Sequence, residues 1–106
     1  MNLKIKLVKT KEEYDDILEI RKQVFVGEQN VPESIEIEYE SVSSHVICFL
    51  NGDPVGTGRW RKSDFGIKLE RFAVLKKYRG LGIGKEIVNF ILSQISSNKT
   101  IYLHAQ

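Results

Sequence analysis

KKYRGLGIGKE, residues 76–86, sets glycine at 80, 82 and 84 and leads directly into IVNFILSQI (87–95). Glycines this dense mean a turn with positive φ or a backbone that another group must approach closely. Upstream, IKLERFAV (67–74) reads as a strand; downstream, Ile87, Val88, Ile91, Leu92 and Ile95 recur on one face of a helix. A strand, a glycine-rich turn and a helix together form a general anion-binding design. The first N–H groups of the helix have no partner within it, the macrodipole favours negative charge there, and glycine removes the Cβ that would keep a phosphate away.

Two familiar versions of that design fail on particular residues. A dinucleotide loop, G-x-G-x-x-G, needs its third glycine where Lys85 or Ile87 stands, and no Asp or Glu follows Glu86 to hold a ribose. A P-loop needs glycine at 79 and Ser or Thr at 86, where the chain has Arg79 and Glu86. What remains is Arg79-x-x-Gly82-x-Gly84 behind a strand that ends in Phe72-Ala73-Val74.

Outward from the loop, LKIKLV (3–8) alternates as a half-buried strand does. Thr10 with Glu13 three residues on is a capping box. It opens a helix whose face holds Tyr14, Ile17, Leu18, Arg21, Val24 and Phe25 and which ends at or just before Gly27. EQNVPESIEIEYE (28–40) reads as a loop with a short helix. Asn51-Gly52-Asp53-Pro54 marks a hairpin between strands 45–50 and 54–61, and IYLHA (101–105) is a last strand. The expected class is α/β: a mixed sheet of strands 1–5, antiparallel early, closed by a parallel strand–helix–strand crossover, with helices on both faces. Ile83 and Phe90 fall off the apolar stripe of the final helix, and a second neighbour is expected to cover them.

Composition narrows the function classes. A chain of 106 residues is one domain, 1–106. A formal charge of +2 with no basic block argues against nucleic acid. No apolar run is long enough to span a membrane, and lysines interrupt the N-terminal apolar stretch, so no signal peptide is expected. The lone Cys48 excludes an internal disulfide and fits a reducing, cytoplasmic setting; within VICFL it reads as a buried, inert thiol. His45 and His104 lack metal-ligand spacing, so no metal is expected. Trp60 is expected to be a packing residue. Glu33, Glu36, Glu38 and Glu40 alternate with apolar residues, a solvated face or, less simply, an attractor for a cationic amine.

LERFAVLKKYRGLGIGKEIV (69–88) resembles the strand 4, coenzyme A loop and following helix of the GNAT superfamily of N-acetyltransferases, and IRKQVFVGEQNVPE (20–33) is similar to the first-helix region of small bacterial ElaA-like members. The resemblance implies acetyl transfer from acetyl-CoA to a primary amine, on a small molecule or a peptide, by direct attack. It places the pyrophosphate on the main chain of Arg79, Gly80, Leu81, Gly82, Ile83 and Gly84, with Lys85 opening the helix. It lays the pantetheine arm along Phe72, Ala73 and Val74, where a main-chain N–H near Phe72 would meet the charge that develops on the thioester oxygen. A lysine-like ammonium, with a pKa of about 10.4, must lose a proton before it attacks. Glu70, sharing strand parity with Phe72 and Val74, is the candidate base; its alternative is a salt bridge to Arg59 or Arg71. Glu28 and Gln29 are candidates for gripping the acceptor.

In this family the chain continues past strand 5 with a helix, which brings a tyrosine acid, and then further strands. Those elements are expected to be missing here. The resemblance then leaves a donor-binding half, an exposed last strand (Ile101–His104) that pairs with another chain as a homodimer, and an alternative function as a non-catalytic module that binds coenzyme A or a partner protein.

Overall fold

Asn51 and Gly52 take φ of 52° and 90°, the twist of a two-residue hairpin turn that suits the strands it joins. They connect β2 (Ser44–Leu50) to β3 (Asp53–Ser63), the centre of a five-stranded sheet. The computed structural model describes residues 2–30, 40–95 and 100–103. β1 (Leu3–Leu7) runs antiparallel to β2, β4 (Gly66–Val74) antiparallel to β3, and β5 (Ile101–Leu103) parallel to β4, in the order β1-β2-β3-β4-β5. The loop helix expected within 28–40 lies outside the described residues over 31–39.

Helix α1 (Lys11–Arg21) begins as its sequence requires: the Thr10 hydroxyl accepts from the Glu13 N–H, and the Glu13 carboxylate accepts from the Thr10 N–H. It does not stop at Gly27. After Arg21 the coil widens into a π-helical segment, Lys22–Glu28, and the Gln29 N–H reaches back to the Val24 carbonyl at 3.2 Å. Gly27 is therefore an interior residue of that segment. Such widened turns recur at functional sites.

The sheet has two buried faces. On one, Val46, Cys48, Val55, Ile67 and Leu69 pack with Ile83, Ile87 and Ile91 of α2 (Ile83–Gln94). Two glycines of β3 let α2 lie this close. A Cβ on Gly58 would come within 2.8 Å of the Phe72 ring and 3.0 Å of Ile87, and one on Gly56 within 3.0 Å of Ile87. On the other face Ile20, Val24 and Phe25 cover Ala73.

Two sequence expectations are corrected. Helix α2 starts at Ile83, a full turn before the apolar run that announced it, so its buried stripe is Ile83, Ile87 and Ile91 at four-residue spacing. Phe90 packs against the same core, and neither it nor Ile83 needs a second neighbour; Leu92 is the exposed residue instead. The other correction concerns β4. Arg71 takes φ of 56°, and the ladder steps from Arg59↔Glu70 to Thr57↔Ala73, so two residues of β4 oppose Gly58 alone. A bulge of this kind reverses strand parity. Glu70 therefore shares a face with Ala73, under α1, and points away from Phe72 and Val74.

Among the described residues no helix is long and apolar enough to cross a membrane.

Candidate functional site: a glycine-walled cleft at the end of β4

Past Val74 the chain makes one 3-10 turn, Lys76–Tyr78, and enters the glycine loop. Gly80 and Gly82 stand at φ of 83° and 81°, left-handed conformations that a side chain would resist. Gly82 caps α2 with no side chain to offer. The Glu86 N–H is the first to find a helical acceptor, the Gly82 carbonyl at 3.1 Å; those of Ile83, Gly84 and Lys85 come too early in the helix to have one. A Cβ built on Gly80, Gly82 or Gly84 would touch nothing within 4 Å, so the loop's outer side is open to an approaching group.

That loop is one wall of a cleft of about 410 Å³. Phe72, Ala73 and Val74 line it from β4, Arg79, Gly80, Gly82, Ile83 and Gly84 from the loop, and Gln29 from the end of the π-helical segment. The ten residues expected to hold the donor lie in two runs, 72–74 and 79–85, and eight of them line the cleft. Leu81 and Lys85 are exposed outside it. Val24 and Tyr78 also line it; the sequence analysis had placed Val24 only on a helix face and had given Tyr78 no role.

Among the described residues β5 pairs with β4 at Ile67, Lys68 and Leu69, and no strand is described against Phe72, Ala73 and Val74 on the side facing the cleft. The Leu75 N–H donates to the Val55 carbonyl at 2.9 Å. By alternation Ala73 also turns its main-chain groups toward β3, while Phe72 and Val74 turn theirs toward the cleft. The Val74 carbonyl confirms that direction by accepting from Arg79 Nε at 2.9 Å. The same guanidinium forms an ion pair with Glu28. Glu28 is thereby joined to the loop wall, with its carboxylate already engaged.

Glu70 stands apart from the cleft. Its carboxylate receives Arg59 Nη2 at 2.6 Å, Arg59 Nε and Arg61 Nε each at 2.9 Å, and Lys68 Nζ at 3.4 Å. Burial pushes its pKa up, but the hydrogen bonds and charges of Arg61 and Arg59 outweigh that, and it ends below the ordinary glutamate value. A carboxylate held so firmly in its charged form is a weak proton acceptor. Of the two salt-bridge partners weighed for it, Arg59 is the one present in this cluster.

The cluster continues beneath α1. Arg59 Nη1 reaches Glu40 at 2.8 Å, Arg21 Nη1 reaches Glu40 at 2.7 Å, and the Tyr14 hydroxyl donates to the same carboxylate. Both arginines are fully buried. Glu40 therefore belongs to neither a solvated face nor a free acidic patch; Glu33, Glu36, Glu38 and His104 lie outside the described residues. His45 packs edge-on against Tyr14 at 5.5 Å, with Nδ1 buried and lacking a hydrogen-bond partner among the described residues. Burial raises the Cys48 thiol to about 11, so it stays protonated and inert. Trp60 is partly buried against the core under α2.

Comparison with known proteins settles the kinship of this arrangement. The model of the acetyltransferase (GNAT) family matches residues 12–106. The chain belongs to the GNAT family. It is 45% identical over 83 residues to YjcF of Bacillus subtilis, described as an uncharacterized N-acetyltransferase, covering 77% of this chain and 59% of YjcF. It is 39% identical over 111 residues to YyaT of the same organism, covering 98% of this chain and 74% of YyaT. The GNAT domain spans only part of the length of these relatives. Its fold superposes on the crystal structure of Escherichia coli ElaA with a TM-score of 0.83 at 22% identity, over 99% of this chain and 79% of ElaA.

Proposed function

We propose that this GNAT domain is an N-acetyltransferase that moves an acetyl group from acetyl-CoA to a primary amine. The observation that carries the reading is the cleft itself. Open N–H groups at the start of α2, glycines that leave them bare, and the end of β4 at Phe72–Val74 meet in one space of about 410 Å³.

Acetyl-CoA would supply a thioester and a diphosphate, and the residues present fit both. The N–H groups of Ile83, Gly84 and Lys85, with the macrodipole behind them, would hold the diphosphate. The outward main-chain groups of Phe72 and Val74 would bond the amide-bearing arm as an added strand does. The Val74 carbonyl is the exception, because Arg79 already occupies it. A main-chain N–H fixed in the strand beside the bulge would stabilise charge on the thioester oxygen without moving. In the reaction a C–N bond forms as the C–S bond breaks. The sulfur leaves with the electron pair, and the proton lost by the amine balances the thiol. Glu70 serves this scheme better as a fixed negative charge within its arginines than as the base.

Thermal stabilisation by acetyl-CoA and thiol release with a panel of amines test the reading together. The expected result is a dose-dependent rise in melting temperature and thiol release with at least one amine. Stabilisation without release for any amine would leave a coenzyme-binding module; no stabilisation would remove the donor site.

A further inference from the structure

The Arg79 side chain ties together three parts of the donor cleft. From its place between the 3-10 turn and Gly80, it sends Nε to the Val74 carbonyl at 2.9 Å and Nη2 to the Glu28 carboxylate, 51 positions earlier in the chain. Val74 is the last residue of β4, and Glu28 is the last of the π-helical segment. One guanidinium therefore joins strand, loop and segment. Arg79 and Val74 both line the cleft, as does Gln29 beside Glu28.

Each of these contacts occupies a group that a donor would use. The Val74 carbonyl is the acceptor that an amide N–H takes when an arm binds as an added strand. The guanidinium shares the cleft with Gly82 and Gly84, and a diphosphate held at the start of α2 would seek it. Glu28 already bonds that guanidinium, as a carboxylate in place of a phosphate. The pair is not sealed from water: 45% of the Arg79 side chain and 32% of the Glu28 side chain are exposed. Ion pairs this exposed are weak. A diphosphate brings more charge and more acceptor oxygens to the same planar fork than one carboxylate does. It can win the exchange. A neutral arm without phosphates has nothing to offer the guanidinium and meets the Val74 carbonyl already taken.

We propose that Arg79 is a strap that the donor itself releases. In the unliganded protein Glu28 and the Val74 carbonyl hold the guanidinium. On binding, the diphosphate takes the guanidinium from Glu28, and the Val74 carbonyl is freed for an amide of the pantetheine arm. Glu28 thus stands in for a phosphate of the donor instead of gripping the acceptor. The strap selects ligands that carry a diphosphate and an amide-bearing arm together. The proposal rests on the acetyl-CoA reading of the cleft.

The test uses the whole chain, isotope-labelled, with affinities taken from amide shifts during titration. Acetyl-CoA is the probe with diphosphate and arm, and S-acetylpantetheine is the neutral arm alone. Arg79→Ala removes the guanidinium and opens the strap. It should weaken acetyl-CoA about tenfold, through lost charged hydrogen bonds, and tighten S-acetylpantetheine about threefold, through the freed Val74 carbonyl. Glu28→Gln keeps the shape without the charge and should tighten acetyl-CoA about twofold to fivefold. An Arg79 that only holds the fold together would weaken both probes when replaced, and an idle one would change neither. Either pattern overturns the strap, as does weaker acetyl-CoA binding by Glu28→Gln; in each case acetyl-CoA binding by the wild-type chain leaves the donor reading standing. If no form of the chain binds acetyl-CoA, the donor reading falls and the strap falls with it.

Discussion

Before the Arg71 bulge, β4 carries Glu70 into a closed set of ion pairs beneath α1; after it, the same strand carries Val74 into a loop whose N–H groups are left open. Both regions are polar, but the first is buried and the second lies at the surface. In the first, every described carboxylate oxygen has been met by a cation. In the second, donors have been stripped of side chains and left without acceptors. Closed polarity holds elements in place, whereas open polarity waits for a ligand. One residue at φ of 56° separates the two by turning the strand over.

The comparison can be broken most forcefully at Arg59. It is fully buried and bonds both Glu40 and Glu70. Arg59→Met should leave two carboxylates short of a partner and cost about 3–5 kcal/mol, read from urea unfolding. A loss below about 1 kcal/mol would mean the ion pairs behave as surface pairs do. Gly58→Ala probes the seam between the regions, since its Cβ would strike the Phe72 ring on the cleft side. We expect a loss of about 1–3 kcal/mol together with weaker acetyl-CoA binding, because Phe72 must give way.

Gly84→Ala separates stability from binding. Its Cβ would meet nothing in the unliganded protein, and alanine favours helix over glycine by up to about 1 kcal/mol, so unfolding should become harder. Binding should weaken by about tenfold, because the methyl stands on the open side of the cradle. A variant that is stabilised and binds normally would place the diphosphate elsewhere.

The smallest effect is the pH dependence. Burial raises Glu40 and Glu70, but Arg21 and Tyr14 on the one, and Arg61 and Arg59 on the other, bring both below the ordinary value. Glu13, hydrogen-bonded by Lys6 and by the Lys9 N–H, lies at about 2. Burial, against the pull of Glu40, keeps His45 below its ordinary 6.5. All four groups bind fewer protons folded than unfolded. Their stabilisation is present above the unfolded pKa values and is lost as pH falls through the folded ones. Stability should therefore start to decline below about pH 6.5, the His45 range, and decline further through the carboxylate range. His45→Asn should flatten the first limb and spare the second; a first limb that survives the substitution would assign it to another group.

What the sequence made legible was local. The capping box of Thr10 and Glu13, the Asn51-Gly52 turn and the glycine loop each need only neighbours within a few positions. The start of α2 was harder, because Ile83 and Gly84 sit inside the glycine run and the periodic signal becomes clear only at Ile87. The face of Glu70 was misread for a sharper reason. Parity assumes an unbroken strand, and an arginine in the left-handed region gives no warning in composition. The engagements of Glu28 with Arg79 and of Glu40 with Arg21 and Arg59 join positions far apart in the chain, and no local pattern announces them.

The central claim is that the open N–H groups of the glycine loop and the main chain of β4 at Phe72 and Val74 hold acetyl-CoA. Titration of the isotope-labelled chain with acetyl-CoA, followed amide by amide, tests it most directly. We predict saturable shifts concentrated at residues 80–85 and at Phe72 and Val74, with the amides around Arg21 and Arg59 nearly still. No saturable shift, or shifts centred away from that loop, would contradict it.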